Sequence, residues 1–278
     1  MAFRLLTPEN EAEAIRLLRD AGPAASAVLA GGTDLLHDVD FGLIRPTTLL
    51  SLRKLPWKEL HWHDGRLTIG STLPLAELES DPELPSRIPG LYTAVRAVGS
   101  RTLRHRATLG GNIARCAPTS DLLPTLLVLG ATVRTVGPAG ERDLPLAELL
   151  VGSRRTTLGV GELLRSVTVP SAPSAYLWQR VRPVNDVSQV GVAVARDGRG
   201  GWGVAVGGVL PVPRRFPSAE ALLSGSSPSR EAVQAAAART AEEAPFVSDK
   251  RASEEYRRRL VRVLVERAIA NVVRQGAP

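Results

Sequence analysis

The chain has 278 residues, enough for two or three subdomains, and its 44% hydrophobic and 23% charged residues are those of an ordinary globular protein. No apolar run is long enough to span a bilayer, and the N-terminus MAFRLLTPENEAEAIRLL soon turns polar and acidic, which argues against a secretory signal and for a cytoplasmic protein. The net charge of +7 comes from 35 basic and 28 acidic residues, but the arginines are spread along the chain without a basic tail or nucleic-acid motif, so the excess reads as solvated surface, except that Arg101, Arg104 and Arg106 immediately precede a glycine pair where positive charge would help hold an anionic ligand.

Thr7 and Pro8 read as the N-cap and first residue of a helix in which Ala14, Leu17, Leu18 and Ala21 recur at helical spacing until Gly22. Residues 27–30 form a strand entering a Gly-Gly turn, LAGGTDLL, and TTLLSL at 47–52 reads as the next strand. ELHWH and RLTIG flank Asp64-Gly65, a pair suited to a tight hairpin turn. Pro89 opens a helix with Leu91, Ala94, Val95 and Val98 on one face, and a second Gly-Gly turn follows in ATLGGNIARCAPTSDLLP. The apolar helix LLPTLLVLG and strands at 131–136 and 162–169 complete a second α/β unit.

PSAPSA at 170–175 reads as a linker. Beyond it, YLWQRVR, VSQVGVAVAR and WGVAVGGV are three alternating strands, with the turn between the last two at Asp197 to Gly201. An alanine-rich helix begins at Ser227 and Pro228, and a last helix places Tyr256, Leu260, Val263 and Leu264 toward the core with its arginines in solvent. The domains expected are therefore 1–56, 57–172 and 173–278.

Cys116 is the only cysteine, so neither an internal disulfide nor a cysteine-ligated zinc or iron–sulfur centre can be built from this chain alone. His61 and His63 share one face of a strand, but no third ligand is near in sequence, so an exposed strand face is favoured over a metal site. Neither glycine pair is followed by the Lys-Ser/Thr of a Walker loop. GVGELL at 159–164 lacks the third glycine of a Rossmann fingerprint, and no G-x-S-x-G elbow is present. What the glycine pairs do offer is a backbone open to close approach and amide groups that can converge on an anion. Two such cradles suit the two phosphates of a diphosphate.

AGGTDLL, TLGGNIARCAPTSDLLPTLLVLGA, R-P-V-N-D at 182–186 and SEEYRRRLVRVLVERAI resemble, in order and spacing, the FAD-binding medium subunit of molybdenum hydroxylases, the carbon monoxide dehydrogenase and xanthine dehydrogenase family. The resemblance implies an α+β protein: two α/β subdomains holding FAD between them in a PCMH-type FAD-binding fold, plus a C-terminal domain of a three-stranded antiparallel sheet with helices. It places Ala30, Gly31, Gly32, Thr33 and Asp34 at the first cradle, with Val28, Leu29 and Leu35 beside it, and Thr108, Leu109, Gly110, Gly111 and Asn112 at the second. Asp121 matches an acidic position near the nucleotide, and it could equally cap the helix that follows. Val98 and Leu164 match apolar positions near the flavin. The family commonly has Arg-Asn where this chain reads Arg104-His105, and a lysine where Trp178 stands, so Arg180 or Arg182 becomes the candidate cation.

By the same resemblance the chain is an oxidoreductase subunit without catalytic acid or base. Its FAD would take electrons from a small [2Fe-2S] subunit, downstream of a large molybdopterin subunit, and pass them to NAD+ or another acceptor. The alternatives are a free-standing FAD-dependent oxidoreductase acting directly on a small molecule, and a scaffold that has lost its cofactor.

Overall fold

The computed structural model describes residues 3–182 and 186–276. The N-terminal unit contains β1 (Arg4–Leu6), α1 (Glu11–Ala21), β2 (Ser26–Leu29), α2 (Leu35–Asp40) and β3 (Thr48–Ser51). Its three strands form a parallel sheet in the order β1-β3-β2. Helix α1 begins later than Thr7-Pro8 suggest, because Asn10 is the cap: its side-chain oxygen accepts the Glu13 amide at 2.9 Å. Strand β1 escapes a sequence reading, since three residues are too few to show a period.

The middle unit is built on β4 (Leu60–His63), β5 (Arg66–Gly70), α3 (Leu75–Glu79), α4 (Leu84–Arg87), α5 (Pro89–Ala97), α6 (Arg101–Arg104), α7 (Leu109–Arg115) and α8 (Leu122–Val128). It continues through β6 (Thr132–Gly137), β7 (Gly140–Pro145), α9 (Leu146–Leu149), β8 (Leu150–Gly152), β9 (Arg155–Thr156) and β10 (Leu163–Pro170). The main sheet is antiparallel with order β4-β5-β10-β6-β7, and β8 and β9 make a separate pair. The β4–β5 hairpin turns at Asp64 and Gly65, whose φ values of 46° and 69° are the left-handed pair expected of Asp-Gly.

The C-terminal sheet comprises β11 (Ser174–Gln179), β12 (Val190–Arg196), β13 (Trp202–Gly207) and the two-residue β14 (Arg214–Arg215), and the helices are α10 (Pro217–Glu220), α11 (Arg230–Glu243) and α12 (Glu254–Gln275). The sheet thus has four strands rather than three, the extra one being too short to read in sequence. Its alternation decides the packing. Val190, Val192, Val194, Val204 and Val206 join the core beneath α11 and α12, while Ala193, Ala195 and Ala205 face the core of the middle unit. Glycines on that second face admit α8 closely: a Cβ on Gly203 would stand 2.9 Å from the Val128 carbonyl oxygen. Every residue of α8 is buried, as its all-round apolar sequence requires.

PSAPSA is not a loose linker. Ala172 is buried, Ser174 already begins β11, and its hydroxyl accepts the Gly90 amide of α5. Helix α11 starts two residues later than expected, capped by Ser229. Helix α12 is rotated from the expected phase: Tyr256 and Val263 are 44% and 42% exposed, and the buried stripe is Arg257, Val261, Leu264, Val265, Ala268, Ile269 and Val272. The apolar residues of the helix's second half fix that phase. They bring Arg257 inside, where it donates to the Gly208 carbonyl at 2.9 Å and pairs with Asp249 at 2.6 Å. No helix among the described residues is long and apolar enough to cross a membrane.

Candidate functional site

A cavity of about 330 Å³ opens between the N-terminal and middle units, a size in the range of small-molecule and cofactor sites. The N-terminal wall comes from the end of β2 and the turn into α2, with Val28, Ala30, Gly31, Gly32, Thr33, Asp34 and Leu35, and from Asp38, Ile44 and Leu52. The opposite wall is Thr108, Gly110, Gly111, Asn112, Ala114 and Arg115, flanked by Ser71, Val98, Leu103, Ala107, Leu158, Glu162, Leu163 and Leu164. The first cradle therefore sits at the carboxyl end of a parallel strand, where chain direction changes and a ligand can enter.

The four glycines have different tasks. A Cβ on Gly31 would lie 1.9 Å from the Arg106 carbonyl oxygen, so its bareness lets the two turns touch. Gly32 has φ of 78°, a conformation costly for residues with a side chain. A Cβ on Gly110 would lie 2.5 Å from the Ser71 Cβ, so this glycine seats α7 on the β5 exit. Around Gly111 the contacts within 4 Å are Thr108 Oγ1 at 2.9 Å and Ala30 Cβ at 3.9 Å, and the rest of its side faces the cavity. Thr108 caps α7 through that same oxygen, which accepts the Gly111 amide at 3.1 Å. Among the described residues, the amides of Gly32, Thr33 and Asp34 make no protein hydrogen bond, so this row of donors is available to an anion.

The ionised lining is internally paired. Arg115 on α7 holds both oxygens of buried Asp38 on α2, at 2.6 and 3.1 Å, and lies 3.7 Å from Asp34, so one guanidinium buckles the two cradles together. Glu162 accepts from Arg142 at 2.6 and 3.0 Å, from the Gly159 amide at 2.7 Å and from the Thr135 hydroxyl, which fixes Leu158 and Leu164 in the wall. Arg104 does not face the cavity. It is buried, grips Glu79 at 2.8 Å and donates to the carbonyls of Val98 and Arg96. Arg101 and Arg106 are exposed and outside the lining, so none of the three arginines preceding the second cradle reaches into it.

Of the residues singled out from sequence, Leu29, Leu109, Asp121 and Arg182 do not line the cavity. Leu109 is in the core and Leu29 pairs with Ser51 in the sheet. Asp121 neither lines the cavity nor caps α8 with its side chain; it is buried and accepts from the Tyr176 hydroxyl at 2.6 Å, the Ser188 hydroxyl at 2.5 Å and the Arg180 guanidinium at 2.9 Å. Burial pushes its carboxyl up, against the pull of these hydrogen bonds and the Arg180 charge. Arg182 sits in solvent, 3.9 Å from Asp186, and Pro183, Val184 and Asn185 of the R-P-V-N-D signature lie outside the described residues. Trp178 stacks on Tyr176 with ring centroids 5.6 Å apart, and Arg180 lies over its ring.

Cys116 is a buried bystander whose thiol donates to the Gly152 carbonyl at 3.2 Å and whose pKa burial pushes up. His61 and His63 stack at 6.1 Å, and among the described residues no group of three metal-ligating side chains forms. Sequence reading missed Asp38, Arg115 and Glu162. Asp38 follows Asp34 at helical spacing, and Glu162 belongs to GVGELL, which lacks a phosphate-loop pattern but carries this wall carboxylate.

Residues 1–172 match the model of the FAD binding domain in molybdopterin dehydrogenase, and residues 175–272 match the carbon monoxide dehydrogenase flavoprotein C-terminal domain. Among curated relatives, the nicotine 6-hydroxylase medium subunit of Paenarthrobacter nicotinovorans is 29% identical over 96% of both chains. The putative xanthine dehydrogenase FAD-binding subunit of Escherichia coli K12 is 28% identical, over 94% of this chain and 93% of the relative. The solved carbon monoxide dehydrogenase of Hydrogenophaga pseudoflava contains a chain that superposes with a TM-score of 0.92 and 27% identity, covering 100% of this chain and 99% of that one. Quinoline 2-oxidoreductase from Pseudomonas putida 86 gives a TM-score of 0.90 at 25% identity, over 99% of this chain and 98% of that one. Two glycine turns facing one cavity, set in a fold shared along its whole length with these proteins, make this chain an oxidoreductase subunit that belongs to the FAD-binding subunits of the molybdenum hydroxylase family, with FAD as its cofactor.

Proposed function

We propose that the chain is the electron-transfer subunit of a molybdopterin-dependent dehydrogenase or hydroxylase, carrying electrons from iron–sulfur clusters on a small partner chain through FAD to NAD+ or another acceptor. The observation that carries this reading is the pairing of a two-cradle cavity with a single, buried cysteine: the chain can hold a flavin and cannot itself ligate the clusters that feed it. The names of its relatives, a medium subunit and a FAD-binding subunit, support a place in a larger assembly.

The cavity fits the cofactor. The open amides of Gly32, Thr33 and Asp34 and the uncovered face of Gly111 would receive the diphosphate, while Val98, Leu103, Leu158 and Leu164 offer apolar surface to a ring system. FAD supplies a carrier that accepts two electrons singly and delivers them together. The protein's task is then to bind, orient and keep water from the ring, with 1–56 and 57–172 as the two jaws and 173–278 as the support behind them. We place the protein in the cytoplasm.

Co-purification from the native host with mass spectrometry tests the assembly. An iron–sulfur chain and a molybdopterin chain are expected in stoichiometric amounts, with NAD+ reduction by the complex. A flavin-loaded chain that purifies without either partner and oxidises a small molecule alone would overturn the reading in favour of a free-standing oxidoreductase.

A further inference from the structure

Two buried arginines converge from opposite sides on the carboxyl end of α5. Arg104 of α6 donates Nη1 to the carbonyls of Arg96 and Val98, at 3.3 and 3.0 Å, while its Nε and Nη2 grip Glu79 at 2.8 and 3.2 Å. Arg180, at the exit of β11 in the C-terminal sheet, donates Nη2 to the carbonyl of Ala97 and to Asp121 at 2.9 Å. Three consecutive carbonyls at a helix end are thus held by two cations, the charge that such an end favours. The last of the three residues, Val98, lines the cavity with its side chain, and the tight turn after it, with Gly99 at φ of 49°, delivers Leu103 to the same wall. Asp121 keeps Arg180 in place, and the hydroxyls of Tyr176 and Ser188 occupy its other oxygen.

We propose that Arg180 is a positioning residue through which the C-terminal sheet sets the FAD-facing wall at Val98 and Leu103, although no described residue beyond position 172 lines the cavity. Asp121 then acts on the cofactor through Arg180 and Ala97 rather than by contact. The inference rests on this cavity being the FAD site. Coupling of this kind is reciprocal, so FAD binding must also stabilise β11 and β12.

The test uses the full chain with FAD. Arg180→Met alone leaves the Asp121 carboxylate buried without its cation and risks unfolding. The paired variant Arg180→Met/Asp121→Asn removes both charges and keeps the core neutral. It is expected to fold, to bind FAD about tenfold more weakly and to show an altered visible flavin spectrum, as loss of a group behind a binding wall does. Arg180→Lys, which restores one donor and the charge, should recover part of the affinity and the native spectrum. Hydrogen exchange should record FAD-induced protection of β11 and β12 in the native chain and its loss in the paired variant. A folded paired variant with native FAD affinity, spectrum and protection would overturn the proposal. A native chain that takes up FAD while Gly111→Val takes it up equally would instead overturn the site on which it rests.

Discussion

The two glycine pairs read alike in sequence and differ in physics. In the first turn both glycines serve the protein: Gly31 admits the Arg106 carbonyl at a distance no Cβ tolerates, and Gly32 bends the chain at positive φ. In the second, Gly110 is structural in the same sense, but Gly111 has an ordinary φ, lies in a helix and looks into the cavity. Only Gly111 combines an ordinary φ with a Cβ position that no backbone atom of another segment approaches. A doubled glycine therefore marks a close approach without saying what approaches: backbone at Gly31 and Gly110, leucine side chains at Gly32, and the Thr108 hydroxyl at Gly111.

The largest effect should come from Gly31→Ala. Its Cβ meets backbone, which cannot rotate away, so the turns must separate, and a loss of stability of about 3 kcal/mol together with loss of FAD is expected by chemical denaturation and flavin content. Gly32→Ala should be milder, about 1 to 2 kcal/mol, because it strains one residue without a backbone collision. Gly111→Val sharpens the contrast. It should cost about 1 kcal/mol by displacing the Thr108 cap, yet abolish FAD retention while the fold persists by circular dichroism. Unchanged flavin content in that variant would equate the two turns and remove the distinction.

The smallest effect concerns pH. Burial pushes the Glu162 carboxyl up, but Arg142, the Gly159 amide and Thr135 outweigh it and hold the group below the usual carboxylate range. A depressed folded pKa adds stability above the unfolded value, about 4.3, and loses it as pH falls through the folded one. Glu162→Gln should therefore be less stable than the native chain at pH 7 and lose less on acidification below about pH 4. Parallel stability–pH curves for the two proteins would show that the network contributes nothing.

Much of the fold was legible because its signals are local. Asp64-Gly65, the alternation of VGVAVA and the all-apolar LLPTLLV each determine an element within a few residues. The two glycine turns were legible for the same reason. What escaped depends on distant partners. The carboxylate of Asp121 turns away from the cavity because Tyr176, Arg180 and Ser188, all from the far side of the chain, claim it. The buckle between Arg115 and Asp38 joins helices whose sequences give no sign of each other. The first half of α12 carries two competing apolar stripes, its second half selects between them, and Arg257 enters the core with the selected one.

Helix α8 carries a consequence for how the chain reaches this state. It is made of residues 122–128, yet the surface that covers one of its sides, Gly203, Ala205 and Gly207, is synthesised some eighty residues later at the ribosome's elongation rate of about 5 to 20 residues per second. For that interval the nascent chain displays a greasy helix with no roof. Folding of the first 172 residues should therefore stay incomplete until the last sheet arrives, and chaperone capture during synthesis should be strongest between emergence of α8 and emergence of β13.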